Sequence, residues 1–138
     1  MPLFQIEVQI SFGHCDAAGI VHYPNYFRWF DQCFHRFLQA HHGGHAALCT
    51  RLGARGLGLM KADSSFRSPG MDGDTLRIEM AAPEWRERSF LVRYRAFVGD
   101  RLAVEGDELR GVFGEEDGRL TALAVAPLRD IIGGGHDG

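Results

Sequence analysis

One stretch of this chain is patterned as a long amphipathic helix, and almost everything after it is patterned as strand. Tyr26, Phe30, Cys33, Phe34, Phe37 and Leu38 recur at helical spacing, while Arg28, Gln32, Arg36 and Gln39 lie mostly elsewhere. Pro24 suits the start of such a helix, Asn25 suits its cap, and Gly43-Gly44 stops it. A short helical turn is expected over His45 to Leu52. Before the helix, Phe4, Ile6, Val8 and Ile10 alternate with Gln5, Glu7 and Gln9, as in a half-buried strand. After about Lys61 the strand patterns follow one another. Phe66 falls on a short strand, then come Leu76 to Met80, Phe90 to Val98, and roughly Leu102 to Phe113. Turns at Asp72-Gly73, Gly99-Asp100 and Asp117-Gly118 separate or follow them. A lone apolar helix must bury its stripe against something, and an antiparallel sheet is the partner on offer, which makes the expected class α+β.

The 138 residues suffice for one domain with a sizeable core, expected over 1–138 with the glycine-rich end, about 133–138, flexible. A net charge of −3 gives no bulk attraction for nucleic acid. Lys61 is the only lysine among the 15 basic residues, so any anion site is built from arginine. Cys15, Cys33 and Cys49 form neither a CxxC motif nor a zinc-ribbon spacing. No apolar run approaches the ~20 residues of a membrane span. The first residues, M-P-L-F-Q-I-E-V-Q, lack the basic segment and apolar run of a signal peptide, so a cytoplasmic protein is expected. The order of elements, one strand, one long helix and then several antiparallel strands, is that of a hotdog fold, a curved sheet wrapped around one central helix.

Chemistry concentrates before the helix, in F-G-H-C-D-A-A-G-I-V-H-Y-P-N-Y, Phe12 to Tyr26. Asp16 lies in a loop broken by Gly13 and Gly19, and Tyr23 stands just before the helix start. The first N–H groups of a helix lack internal partners, and the dipole makes that end positive. A carbonyl placed there is polarised, and a nearby carboxylate either attacks its carbon or deprotonates a water that does. The plainer role for Asp16 is that of a turn former. Asp31 sits on the flank of the apolar stripe beside Phe27, Phe34 and Leu38, where a carboxylate needs a substrate hydroxyl or an arginine as partner. Tyr26, Phe27, Phe30 and Phe34 crowd the helix start, a setting suited to an aromatic group. His14, Cys15, Asp16 and His22, and the pair His41 and His45, are metal-ligand types, but Gly43-Gly44 interrupts the second pair and no metal is expected.

The segment G-H-C-D-A-A-G-I-V-H-Y-P-N-Y-F-R-W-F-D resembles the signature of the 4-hydroxybenzoyl-CoA thioesterase family, and E-W-R-E-R-S-F-L-V-R-Y, Glu84 to Tyr94, resembles its lead into a long strand. The resemblance implies a hotdog acyl-CoA thioesterase without cofactor, acting on an aryl coenzyme A thioester. It makes Asp16 the catalytic carboxylate and puts the Tyr23 N–H against the thioester carbonyl. It sets Asp31 against an aryl hydroxyl, and Arg86, Arg88 and Ser89 against the coenzyme A phosphates. It also implies a homotetramer, a dimer of dimers. Two departures stand out. Many relatives acting on aliphatic acyl-CoA carry histidine where this chain has Tyr23, and the hydroxyl that hydroxybenzoyl enzymes supply is absent from Leu57 to Met60. A short-chain aliphatic acyl-CoA thioesterase and a non-catalytic acyl-CoA binding protein are the alternatives.

Overall fold

The computed structural model describes residues 1–133, so the terminal segment expected to be flexible lies, apart from Gly133, outside the described residues. The elements are β1 (Phe4–Gln9), a 3-10 turn (Phe12–His14), α1 (Pro24–His42), α2 (His45–Leu52), β2 (Gly56–Phe66), β3 (Thr75–Met80), β4 (Glu84–Trp85), β5 (Phe90–Val98), β6 (Arg101–Glu116), β7 (Arg119–Leu123) and α3 (Ala126–Ile132). The seven strands join one sheet in the order β1-β3-β5-β6-β2, with β4 also on β5 and β7 also on β6. The pairings β1–β3, β3–β5, β4–β5 and β6–β7 are antiparallel, and the class is α+β as expected.

Two compact units can be distinguished. The first comprises Met1–Phe34, Asp63–Ala81 and Arg93–Asp107. Its register sets Ile6 opposite Ile78, and Ile78 opposite Ala96, so alternate side chains of three strands share a buried face. The early turns of α1 bury Tyr26, Trp29, Phe30 and Phe34 in this unit. Phe30 stacks on Tyr94 with ring centroids 4.9 Å apart and planes 10° from parallel.

The second unit comprises His35–Ala62, Ala82–Val92 and the chain from Glu108 on. Its core holds Phe37, Leu38, Leu48, Leu57, Phe90, Val92, Val112, Leu128 and Ile132. It also buries a charged pair: Arg110 Nε donates to Glu108 Oε1 at 3.0 Å, and Arg110 Nη1 donates to the Leu57 carbonyl at 3.2 Å. Gly43 and Gly44 end α1 at φ of 79° and 99°, which side-chain-bearing residues rarely adopt.

Several boundaries differ from the sequence expectation. α1 begins at Pro24 itself, so Asn25 is inside the helix and is not its cap. β2 starts at Gly56 rather than near Phe66, and β6 runs on to Glu116. β4, β7 and α3 had no counterpart in the pattern. β7 exists because Asp117 and Gly118, at φ of 52° and 78°, close a tight hairpin onto β6.

Candidate active site

The loop carrying Asp16 is a small hairpin. Ser11 and His14 reciprocate across the 3-10 turn: His14 N–H donates to the Ser11 carbonyl at 2.9 Å, and Ser11 N–H donates to His14 Nδ1 at 3.0 Å. Cys15 then bridges Val21, and Asp16 N–H donates to the Ile20 carbonyl at 2.9 Å. Gly19 N–H returns to the Asp16 carbonyl at 2.9 Å, closing the tip. Asp16 Oδ1 accepts the Ala18 N–H at 2.9 Å, so the turn-forming role of this aspartate is real. It occupies one oxygen only. Among the described residues Oδ2 meets no donor, and the side chain is exposed. The turn thus orients a carboxylate while leaving one oxygen available for chemistry.

The base of the hairpin meets the start of α1. His22 N–H donates to the His14 carbonyl at 2.8 Å, and Asn25 Nδ2 donates to the same carbonyl at 2.9 Å. Asn25 Oδ1 accepts from Arg28, so this side chain ties hairpin to helix. The helix-start donors are then accounted for one by one. Asn25 N–H takes the His22 carbonyl, Tyr26 N–H takes the Tyr23 carbonyl, and Pro24 has no N–H. Among the described residues the Tyr23 N–H has no acceptor, and it lies at the positive end of a 19-residue helix. Asp16 and Tyr23 therefore share one hairpin, the first at its tip and the second at its base.

Beside Tyr23 opens a cleft of about 340 Å³, lined by Ile20, Val21, Tyr23, Tyr26, Phe66, Arg67, Ser68 and Pro69. The Phe66 ring meets Tyr23 at 6.2 Å and Tyr26 at 5.9 Å, centroid to centroid. The aromatic setting at the helix start is thus made differently from the sequence expectation. Phe30 and Phe34 are 2% and 0% exposed and belong to the core, where the stripe faces inward. Phe66, from the end of β2, takes their place at the cleft. Tyr26 is 3% exposed, and its Oη accepts the Gly70 N–H at 3.1 Å. Burial pushes its hydroxyl pKa up from 10.0, against the opposing pull of the Gly70 bond and of Arg101. Its role was missed in the sequence, although a tyrosine in a stripe of phenylalanines asks for a polar partner.

Asp31 is half-buried on α1, two turns beyond Tyr23, and does not line this cleft. Arg86, Arg88 and Ser89 lie in the β4–β5 turn of the second unit, where Arg86 N–H donates to the Ser89 carbonyl at 2.9 Å. Both arginines are exposed and Ser89 is half-buried. Arg88 Nη1 donates to the Ala122 carbonyl at 2.9 Å, and Val125 N–H donates to the Glu87 carbonyl at 3.0 Å, so β7 and the start of α3 brace this turn. A guanidinium has five N–H donors, and the bond to Ala122 uses one of those of Arg88.

Among the described residues no three His, Cys, Asp or Glu side chains gather as metal ligands do. His14 Nδ1 is engaged by Ser11, and His45 Nε2 accepts the Leu57 N–H at 3.1 Å. His41 packs on Phe37 and His42, whereas His45 packs on His35. Cys49 is buried beside His45, and burial raises its thiol pKa.

Residues 10–129 match the thioesterase-like superfamily. The chain is 35% identical to 4-hydroxybenzoyl-CoA thioesterase of Pseudomonas sp. (strain CBS-3) over 127 residues, covering 87% of this chain and 89% of the relative. It is 29% identical to 1,4-dihydroxy-2-naphthoyl-CoA hydrolase of Synechococcus sp. (strain CC9311), covering 74% of this chain and 71% of that protein. Among solved structures, a mutant 4-hydroxybenzoyl CoA thioesterase complexed with 4-hydroxybenzoyl CoA superposes with a TM-score of 0.81 at 30% identity, covering 93% of this chain and 96% of that one. A gentisyl-coenzyme A thioesterase gives a TM-score of 0.75 at 26% identity, covering 88% and 95%. The α+β hotdog fold expected from the order of elements is the fold of these relatives, and the chain belongs to the thioesterase-like superfamily.

Proposed function

We propose that this chain hydrolyses the thioester of an aryl coenzyme A, with Asp16 as its catalytic carboxylate and the Tyr23 N–H as its oxyanion donor. The observation that carries the reading is the pairing, on one hairpin, of an unfilled backbone donor at a helix start with a carboxylate whose Oδ2 is open. In the reaction the thioester carbonyl oxygen takes the Tyr23 N–H. Oδ2 attacks the carbonyl carbon, or removes a proton from the water that attacks it. On the first route the carbon–sulfur bond breaks to leave an acyl–Asp16 anhydride, which water hydrolyses to the free acid and the restored carboxylate. On the second the water's oxygen is joined to the carbon directly, and its proton, held on Asp16, passes to the departing sulfur. On both routes coenzyme A leaves as the thiol, with a proton that comes from the water. The relatives named for hydroxybenzoyl, dihydroxynaphthoyl and gentisyl thioesters favour an aryl acyl group over a short aliphatic one.

Arg86, Arg88 and Ser89 bind the coenzyme A phosphates in this reading. Arginine suits them, because its planar fork matches phosphate oxygens. Asp31 contacts the acyl group or a neighbouring arginine. The protein works as a homotetramer in the cytoplasm, which light scattering of the purified protein tests for its oligomeric part. The deciding experiment is Asp16→Asn, which keeps the shape and removes the charge. Turnover of benzoyl-CoA is expected to fall by at least ~10², the lower range for losing a positioned acid–base group. A well-folded Asp16→Asn protein with near-normal turnover removes the mechanism.

A further inference from the structure

We propose that the Tyr26 hydroxyl is a specificity-determining donor, and that the cleft beside Tyr23 takes an aromatic acyl group whose ring carries an oxygen acceptor for it. The inference deepens the thioesterase reading and rests on it for the identity of the ligand. Its physical basis is a count of donors and acceptors in the cleft wall.

Tyr26 Oη takes one hydrogen bond, from Gly70 N–H, as an acceptor. A phenol also has a proton to give, and among the described residues nothing accepts it. The other polar groups of the wall are already engaged. Ser68 Oγ donates to the Leu102 carbonyl at 2.8 Å and accepts from Arg101 Nη1 at 2.7 Å. Arg67 spends Nε and Nη2 on Glu105, at 3.3 and 3.0 Å, and its exposed guanidinium turns its remaining donors to solvent. Ile20, Val21 and Phe66 are apolar, and the Tyr23 side chain is 58% exposed, so its hydroxyl has water. Beside the exposed Arg67 and Tyr23, the Tyr26 phenol is therefore the one buried side-chain donor with a proton to spare in this lining among the described residues, and a buried donor of that kind fixes the orientation of a ligand. Burial keeps the Tyr26 proton in place at working pH, so the group is a donor there and not an anion.

The chemistry separates this contact from the one assigned to Asp31. A carboxylate accepts hydrogen bonds, so Asp31 answers a ring hydroxyl or amino group. A phenol proton answers any ring oxygen, including an ether. Of these two groups, only Tyr26 can read a methoxy substituent. An ethyl group has nearly the same shape and no acceptor.

The test uses the whole chain and three pairs of thioesters, 2-, 3- and 4-methoxybenzoyl-CoA against 2-, 3- and 4-ethylbenzoyl-CoA. Binding is measured by calorimetry on Asp16→Asn, which holds the substrate intact, and kcat/KM is measured on the unaltered enzyme. At one ring position methoxy is expected to beat ethyl about three- to tenfold, what one neutral hydrogen bond supplies. In Tyr26→Phe the ratio at that position falls to about one, whatever happens to the absolute rates. A loss of packing alone lowers both members of a pair together and leaves the ratio where it was. Equal binding of methoxy and ethyl at all three positions overturns the inference, without need of a Tyr26 variant that folds. So does a ratio that survives in Tyr26→Phe, or failure of all six thioesters to bind. A methoxy preference in binding with no hydrolysis of any thioester keeps the Tyr26 contact and removes the thioesterase reading instead.

Discussion

Replacing Gly70 with alanine puts a methyl group where the structure leaves no space. The added carbon stands 2.8 Å from Tyr26 Oη, 2.9 Å from Ile10 Cδ1 and 3.3 Å from Val21 Cγ2. Ordinary contacts for such a carbon begin near 3.4 Å, so two neighbours must each retreat by half an ångström or more. Neither can do so freely. Ile10 is 1% exposed, and the Tyr26 ring is held edge-on to Trp29 at 5.6 Å. Overpacking of this kind costs about 1–3 kcal/mol. Displacing Oη also strains the bond from Gly70 N–H, worth about 1 kcal/mol more. The sum is about 2–4 kcal/mol, or a fall in Tm of roughly 8–16 °C for a chain of this size. Calorimetry and urea titration measure it directly. The variant Tyr26→Phe removes the atom nearest the new methyl group. The double variant should therefore lose at least about 1 kcal/mol less than the sum of the two single ones. A Gly70→Ala protein within 1 °C of the parent, or strict additivity with Tyr26→Phe, refutes this account of the site's floor.

Three further outcomes follow from the site. Arg86→Ala and Arg88→Ala should raise KM for a full coenzyme A thioester about tenfold or less, as befits exposed contacts, and leave kcat nearly unchanged. A truncated pantetheine thioester should show no such effect, and equal impairment on both would exclude phosphate binding. Asp31→Asn should shrink the preference for hydroxybenzoyl-CoA over benzoyl-CoA if Asp31 faces substrate, whereas an unchanged preference with lowered stability would assign it to an arginine. The raised pKa of Tyr26 carries a pH signature of its own. In the unfolded chain this phenol ionises near 10.0 while the folded protein still holds its proton, so its contribution to stability is complete below that pH and is lost as pH rises toward the folded value. Urea midpoints measured from pH 8 to 11 should fall less steeply above pH 10 in Tyr26→Phe; identical slopes would show that burial does not hold this proton.

Where hydropathy alternates and turns are glycine-marked, the sequence pattern and the fold agree. β1, α1 with its Gly43-Gly44 stop, α2, β3 and β5 were all legible. β2 was not, because Gly56-Leu-Gly-Leu and the polar run from Lys61 to Ser65 hide its alternation. Gly58 is required there, since an added Cβ would meet the Phe113 ring at 2.9 Å. The inward-facing Glu108 and Arg110 likewise look like surface residues until each is seen to be the other's partner. Of the candidate site, Asp16 and Tyr23 could be proposed from the sequence because residue type and helix start are local properties. Phe66 could not, because it arrives from a strand forty residues away in sequence. Nor could the missing acceptor for the Tyr26 proton, which depends on what every neighbour in the wall is already doing.

The carbonyl of His14 receives two hydrogen bonds, one from the His22 backbone and one from the Asn25 side chain. An amide oxygen has two lone pairs, and both are in use. One links the two legs of the hairpin, and the other links the hairpin to the first turn of α1. A hinge between carboxylate and helix end would have to break a bond at this one atom, which ties the two together. In the proposed mechanism, substrates of different size are then accommodated on the side of Phe66, which is 52% exposed at the end of its strand, and not by opening the angle between Asp16 and the helix start. On that mechanism, selectivity for the acyl group and the geometry of attack are separable, and a change at Phe66 is expected to alter the first while the second stays fixed.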